Sequence, residues 1–385
     1  MKLLIIGGTN FIYERAIDLG YKITLIDKKS NFNWENNKYI NELFLLDYEE
    51  KESEVLNIIK SVHSIEPFHK CVSFTEKGLS LIAEINKLLG FSDLTNVVQM
   101  TRQKDKFREC LKGTEFTTNS AAVNNKDEVR VFAKENGFPC IVKPNEGVGS
   151  KDIKLIKNIE DINSLQLNVS NIIESFIEGQ EYTVETYSKN REHKILGVGE
   201  TILYDDIHFV EKEHRFPAVL DLKLEKKLTS SIQSFLDYIG LKEGPAHTEV
   251  KYDGKQFKII ESHTRPGGDF IPDLIEYTNG IDIYSTVLDD SNFHNIHNSS
   301  RAGYATVIRF LTIDSGIVTK IAGLNKAKSH PLLKKLELSV KIGDQVNTIK
   351  NSFDRPGYII TVGKNLEECL AACDEVENAL KIITE

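Results

Sequence analysis

Apolar residues in the first hundred positions come in short runs separated by helical patterns. Residues 3–6, 22–26 and 70–74 read as strands, the second ending at Asp27, with helices over 14–19 and 80–89. Strands alternating with helices predict a parallel sheet with crossover connections. Between 96 and 111 the period changes: Val97, Met100, Phe107 and Leu111 mark one side of helical segments, and Arg102, Lys104, Lys106 and Arg108 crowd the other. Strands dominate beyond that point. Residues 138–144 carry Lys143 in an apolar run, 145–153 form a glycine-containing loop before another strand, 171–185 give two strands joined by a polar connection, and 194–201 read as one more. The segments His247-Thr248-Glu249-Val250-Lys251 and Ile259-Ile260-Glu261 flank Tyr252-Asp253-Gly254-Lys255, which has the residues of a hairpin turn. The expected fold class is α/β and α+β, with an N-terminal parallel-sheet domain, a small β-rich lobe around Lys143 and a larger C-terminal α+β lobe. Polar stretches around 290–303 and 325–332 read as connections within that lobe.

Composition narrows the function classes. A chain of 385 residues, 40% hydrophobic, is long enough for two or three domains of ~150 residues. Its formal net charge of −9, with lysines scattered along the chain, argues against a nucleic-acid partner. Five cysteines in no framework spacing point to reduced thiols and a cytoplasmic location. Cys369 and Cys373 lie one helical turn apart with no histidine nearby and read as packing residues. The opening apolar run is too short for a secretory signal, and no span approaches the ~20 apolar residues of a membrane helix, so no membrane partner is expected. No heptad or apolar helix face singles out an interface; a homodimer is compatible with the chain.

The hairpin carries the strongest chemical signal. Two strands joined by a tight turn bring Glu249 and Glu261 side by side, and a hard cation such as Mg²⁺ is held by one or two carboxylates plus phosphate oxygens. Solvated acids on a polar sheet face are the alternative. After Glu261 come His263, Arg265 and the pair Gly267-Gly268. In Asn145-Glu146-Gly147-Val148-Gly149-Ser150 small residues let backbone N–H groups close on phosphate oxygens, with Lys143 adding a point charge, although the Gly-Lys-Ser/Thr ending of a P-loop is absent. Gly7-Gly8 after the first strand, with Asp27 about twenty residues on, suggests a dinucleotide turn. The spaced third glycine is missing, and a structural turn is the preferred reading.

Taken in order, Arg102-Gln103-Lys104-x-x-Phe107-Arg108, Ile141-Val142-Lys143-Pro144 with its glycine loop, Glu174-Ser175-Phe176-Ile177-x-Gly179-x-Glu181, His247-Thr248-Glu249 and Glu261-Ser262-His263-Thr264-Arg265-Pro266-Gly267-Gly268 resemble the ATP-grasp superfamily. The chain most resembles the carboxylate–amine ligases of the L-amino-acid ligase (dipeptide synthetase) type. Each motif alone is loose, their order and spacing are specific, and the likeness covers nearly the whole chain. It implies an ATP-grasp fold behind a Rossmann-like N-terminal domain (1–97), a small lobe with a mobile glycine loop (98–178) and a C-terminal lobe with the metal and substrate site (179–385).

The resemblance also implies roles. Lys104, Lys143 and the loop residues Gly147, Gly149 and Ser150 fall where the ATP phosphates are held, Glu174, Phe176 and Ile177 at the adenine hinge, and Glu181 at the ribose hydroxyls. Glu249 and Glu261 fall at the Mg²⁺ positions, Arg265 at the arginine that steadies the transferred phosphate, and His247 facing the reaction centre. Gln103 replaces the usual Asp. His263 replaces the usual Asn ligand, which puts the second metal in doubt, because imidazole suits Mn²⁺ or Zn²⁺ better than Mg²⁺. The implied reaction joins a small-molecule carboxylate, expected to be an amino acid, to an amine through an acyl phosphate. The alternatives are a purine-pathway or carboxylase type of ATP-grasp enzyme and a nucleotide-binding protein without catalysis. For substrate contact the candidates are His214 and Glu213, within the polar cluster Asp205, Asp206, His208, Glu211, Glu213, His214 and Arg215, together with Gly267, Gly268 and Arg309, whose charge lies in an apolar run and needs a partner if buried.

Overall fold

The computed structural model describes residues 1–167, 170–204, 208–296 and 303–385. The first apolar runs form a four-stranded parallel sheet of Lys2–Ile6, Lys22–Asp27, Glu42–Leu45 and Lys70–Val72, in the order third, second, first, fourth. Every residue of Lys2–Ile6 is buried, as a parallel strand covered on both faces requires. The strand Glu42–Leu45 escapes the sequence reading because it is four half-buried residues at the sheet edge, too short for a period to register. Gly7, at φ +71°, starts the following turn, and Gly8 N–H donates to Asp27 Oδ2 at 3.2 Å. A Cβ on Gly8 would lie 2.2 Å from the Tyr13 hydroxyl, so a tyrosine fills the space a dinucleotide would need. In Gly7→Ala the new methyl would meet Thr75 Oγ1 at 2.7 Å in a backbone conformation L residues avoid. Denaturant unfolding should show a loss of about 1–3 kcal/mol, while ATP affinity stays within severalfold.

The small lobe is an antiparallel sheet of Ser120–Val123, Asn171–Ser175, Cys140–Pro144 and Lys154–Ile156, packed on the helix Lys126–Asn136 through Val129, Phe132 and Ile173. The large lobe is built on eight antiparallel strands. Phe257–His263 and Gly244–Tyr252 lie at one end, followed by Glu181–Lys189, Glu192–Leu203, Glu211–Phe216 and Ala305–Phe310, then Gly357–Gly363 and Leu333–Leu338. Helix Leu222–Ile239 covers part of it, with Leu228, Ile232, Phe235 and Leu236 buried. One core runs from Leu3 and Ile12 of the first domain into Ile271, Leu274 and Ile308 of the large lobe, and Arg15 ties the two by reaching Asp282 at 2.8 Å and Glu276 at 2.7 Å. Cys369 and Cys373, on helix Leu366–Ala379, are fully buried packing residues. Within the stretch 325–332 a short helix, Leu324–Lys328, precedes the edge strand, and 297–302 of the other polar stretch lie outside the described residues. No helix among the described residues is long and apolar enough to cross a membrane.

Candidate active site

The hairpin forms as its turn residues predict, and its register sets the site. Glu249 pairs directly with Glu261 and His247 with His263, so period-2 alternation puts all four on one face. Thr248 and Ser262 face the other way and share a hydrogen bond of 2.9 Å in the core. These residues line a cleft of about 380 Å³ between the small and large lobes, which is also lined by Lys104, Lys143, Gly147, Gly149, Ser150, Glu174, Phe176, Ile177, Glu181, His214, Arg265 and Gly268.

The cations approach from two sides. Gln103 has an extended backbone that breaks the basic helical stretch into Thr95–Arg102 and Lys104–Leu111, which leaves Lys104 at the start of a helix. Its backbone N–H donates to Asn145 O at 3.1 Å, and its Nζ lies 3.3 Å from Gly147 O and 3.8 Å from Glu261. Gln103 itself donates to Glu146 at 2.8 Å, so the departure from Asp links the helix to the glycine loop. Lys143, buried on its strand, sits 2.9 Å from Glu174. Burial pulls its pKa down even though Glu174 opposes the shift.

Glu174 faces inward, away from an adenine-hinge role for its own side chain. It takes a two-pronged bond from Arg108, at 2.7 and 3.2 Å, and Arg108 also donates to Ile259 O and Ile260 O at 2.7 and 2.9 Å. Burial works against the Glu174 charge, but Arg108 and Lys143 outweigh it and hold the carboxyl at about 2. A folded pKa below the unfolded value of about 4.3 means that the stabilisation is complete above that value and is lost as pH falls toward the folded one. Stability measured by unfolding should therefore drop between about pH 4.3 and pH 2, and Glu174→Gln should flatten that slope.

Phe176 and Phe209 form an aromatic end to the cleft, ring centroids 6.0 Å apart, with the Lys251 ammonium 5.0 Å from the Phe176 ring. Burial, reinforced by Glu249, raises Glu181 to about 8, so it carries its proton at neutral pH. The glycine loop turns at Gly149 (φ +72°) and Ser150 (φ +56°). Ser150 Oγ donates to Phe209 O at 2.7 Å, and Gly149 O accepts from Ser352 N at 3.0 Å, which pins the loop over the cleft.

Both histidines are flanked by acids. Burial opposes the charge on His247, but Glu185 at 2.5 Å and Glu249 at 3.3 Å raise its pKa to about 10. His263 Nε2 lies 3.1 Å from Glu261, and Nδ1 lies 3.0 Å from Glu76, off the hydrogen-bond axis. The two acids outweigh burial and raise its pKa as well. Both ring nitrogens of His263 face acids, Nε2 toward Glu261 and Nδ1 toward Glu76, so the side chain stands as a charge partner of Glu261. Glu261 is held well below the usual carboxylate range, burial being outweighed by His263, Lys104 and Lys143. Among the described residues no group of three His, Cys, Asp or Glu side chains is arranged to hold a metal. Two facing carboxylates with room for phosphate oxygens fit Mg²⁺ and do not form an all-protein cage.

Several residues here were not singled out from the sequence. Glu76, reaching over from the first domain, binds Arg265 Nε at 2.9 Å and is held at about 2, because His263 and Arg265 overcome burial. Asp269, at φ +50°, is clamped by Arg355 at 2.7 and 2.6 Å and lies 3.4 Å from His214. Gly267, by contrast a substrate candidate from the sequence, does not line the cleft: it packs so closely on Glu185 and His247 that a Cβ would stand 2.7 and 2.8 Å from them. Two substrate candidates lie elsewhere. Arg309 pairs with Glu213 across the sheet at 2.6 Å and reaches Asp374 and Glu377, and Glu213 also holds Arg215 at 2.6 Å. The buried arginine has its partners, and neither it nor Glu213 lines the cleft. Of the polar cluster, Glu211 and His214 do line it, whereas Asp205 and Asp206 lie outside the described residues.

Comparison with known proteins agrees with this arrangement. Residues 13–91 match the ATP-grasp N-terminal domain, 136–273 the ATP-grasp domain, and 309–385 the L-amino acid ligase C-terminal domain 2. An alanine–anticapsin ligase of Bacillus amyloliquefaciens is 26% identical over 63% of this chain and 58% of its own length. A D-alanine–D-alanine ligase of Azobacteroides pseudotrichonymphae is 31% identical over 36% of this chain and 48% of its own. The chain spans about half the length of the first curated relatives it matches. Among solved structures, the L-amino acid ligase from Bacillus licheniformis superposes with a TM-score of 0.87 at 22% identity, covering 100% of this chain and 98% of that one, a likeness of fold. Strand order, cleft and domain matches converge: the chain has the ATP-grasp fold, with an ATP-grasp domain at 136–273 behind an ATP-grasp N-terminal domain, and it carries the C-terminal domain 2 of L-amino acid ligases.

Proposed function

We propose that this protein is an ATP-dependent carboxylate–amine ligase, with an amino acid as the carboxylate substrate. The observation that carries the reading is the pairing of Glu249 with Glu261 in a cleft where Lys104, Lys143 and Arg265 are the facing cations. Mg²⁺, or Mn²⁺ in its place, would be held by these two acids and would screen the triphosphate oxygens from the attacking carboxylate. Lys104 and Lys143 grip the phosphates from opposite walls, and the Gly147–Ser150 backbone closes over them. Phe176, Ile177 and Phe209 receive the adenine, and Glu181, carrying its proton, faces the ribose hydroxyls.

A carboxylate oxygen attacks the γ-phosphorus of ATP, the bond to the β-phosphate oxygen breaks, and ADP leaves an acyl phosphate. The amine then attacks the acyl carbon, phosphate departs with the pair of electrons from the C–O bond, and the proton lost by the amine nitrogen leaves on that phosphate. Arg265, oriented by Glu76, stabilises the oxyanion between these events. His247 is already protonated and acts as a fixed cation beside Glu249, and His263 positions Glu261. Glu211, His214, Asp269 and Arg355 form a mixed-charge wall suited to a zwitterionic substrate. A cytoplasmic site of action accords with the five free cysteines.

Phosphate release from ATP, followed against amino acids singly and in pairs, tests the reading. Pair-dependent release with a condensed product is expected. Release that depends on bicarbonate or formate would favour the carboxylase or purine-type chemistry, and ATP binding without release would mark a non-catalytic protein.

A further inference from the structure

A second cavity, of about 290 Å³, lies away from the cleft, where the outer edge of the N-terminal sheet meets the large lobe. The strand Lys70–Val72 contributes to its wall and ends the sheet, with no strand paired on its outer side. Leu79, Ile82, Val98 and Val287 supply apolar surface, while Lys70, Glu243 and Asp290 bring charge. No residue is shared with the nucleotide cleft.

Two polar groups in this cavity are left short of partners. Burial pushes Lys70 below the usual lysine range, outweighing the more distant pull of Asp290, Asp289 and Glu243. Among the described residues none makes a hydrogen bond or ion pair with its ammonium. Asp290 is engaged elsewhere, by Lys189 at 2.9 Å and the Tyr187 hydroxyl at 3.2 Å. Thr264 Oγ1, also on the cavity wall, is buried with no hydrogen-bond partner. A hydroxyl buried without a partner is unfavourable, and a bound carboxylate offers acceptors both to it and to the half-buried Lys70 ammonium.

We propose that this cavity is a second ligand site, for a free apolar α-amino acid whose carboxylate meets Lys70 and whose side chain lies among Leu79, Ile82, Val98 and Val287. The ligand's ammonium group faces Glu243 and Asp290, so both ends of the zwitterion find opposite charge. The volume, near the lower limit of about 300 Å³ for small-molecule pockets, suits one amino acid. Thr264 stands between His263 and Arg265 in the chain, so a ligand held there bears on the strand end that presents Arg265 to the cleft. The site does not depend on which reaction the cleft performs.

Crystals of the full chain soaked with free selenomethionine, read by anomalous diffraction, test the proposal. The expected result is a selenium peak beside Leu79 and Ile82 in the wild type and its loss in Lys70→Met. A peak confined to the nucleotide cleft overturns the second site and leaves the ligase reading standing, whereas no peak at either place overturns the second site alone. A peak that persists in Lys70→Met overturns the carboxylate contact. Equilibrium dialysis of labelled leucine in the presence of MgADP gives the solution counterpart. One more equivalent should bind to wild type than to Lys70→Met, with phosphate release unchanged by the substitution, and equal binding by the two proteins overturns the proposal.

Discussion

Glu261→Ala and Arg265→Ala should each abolish ATP-dependent phosphate release, with losses on the order of 10³-fold or more. Glu261 pairs with Glu249 on the face of the hairpin that lines the cleft, and it is kept ionised by His263, Lys104 and Lys143. Its removal leaves Glu249 alone, and the approach of a carboxylate anion to a triphosphate loses much of its screening. Arg265 lines the cleft, held by Glu76 at 2.9 Å through Nε and by Pro266 O at 2.9 Å through Nη1, and a methyl group cannot replace a planar, permanently charged donor. Arg265→Lys should recover little, because a single ammonium lacks the second prong. In Arg265→Ala, ADP affinity should change little, since the proposed phosphate grip of Lys104 and Lys143 does not depend on Arg265. Stopped phosphate release combined with near-normal ADP binding is the expected pattern; turnover within severalfold of wild type in either alanine variant would contradict the site assignment.

Arg108→Ala should be the most destabilising single substitution among the cleft-supporting residues, costing about 3–5 kcal/mol. Arg108 is 2% exposed and Glu174 4% exposed, and the guanidinium satisfies both carboxylate oxygens and two backbone carbonyls of the strand that leads to Glu261. Truncation leaves Glu174 with Lys143 alone and orphans Ile259 O and Ile260 O. Replacing the charges together, as in Arg108→Met with Glu174→Met, should cost less than the sum of the single changes, because neither partner is then stranded. Denaturant unfolding of the two single variants and the double variant measures that coupling, and additive losses would mean that the pair does not act as a unit.

How far the sequence carries the reading depends on the distance between interacting residues. The hairpin of Glu249 and Glu261 was legible because four turn residues set its register and alternation then fixes which side chains share a face. Lys143 and the glycine loop were legible for the same local reason. The charge on His247 was not, since it is decided chiefly by Glu185 on another strand, and neither was the contact of His263 with Glu76 of the first domain. Arg309 shows the limit from the other side: the need for a partner followed from its apolar surroundings, but the identity of Glu213, Asp374 and Glu377 followed only from the fold, and with it the exclusion of Arg309 from the cleft. Clamping of Asp269 by Arg355 likewise joins residues with no local pattern in common. Gly7-Gly8 reads as a tight turn from composition alone, while the tyrosine that occupies it becomes visible only in three dimensions.

The contact between Gly149 and Ser352 joins the roof of the cleft to a segment near the far end of the chain. Under the proposed reaction, whatever frees that roof to let spent nucleotide escape also admits solvent to an activated intermediate. Speed and thrift are thereby set against each other by one small seam, and a variant that turns over faster by loosening it will squander more fuel for each bond it makes.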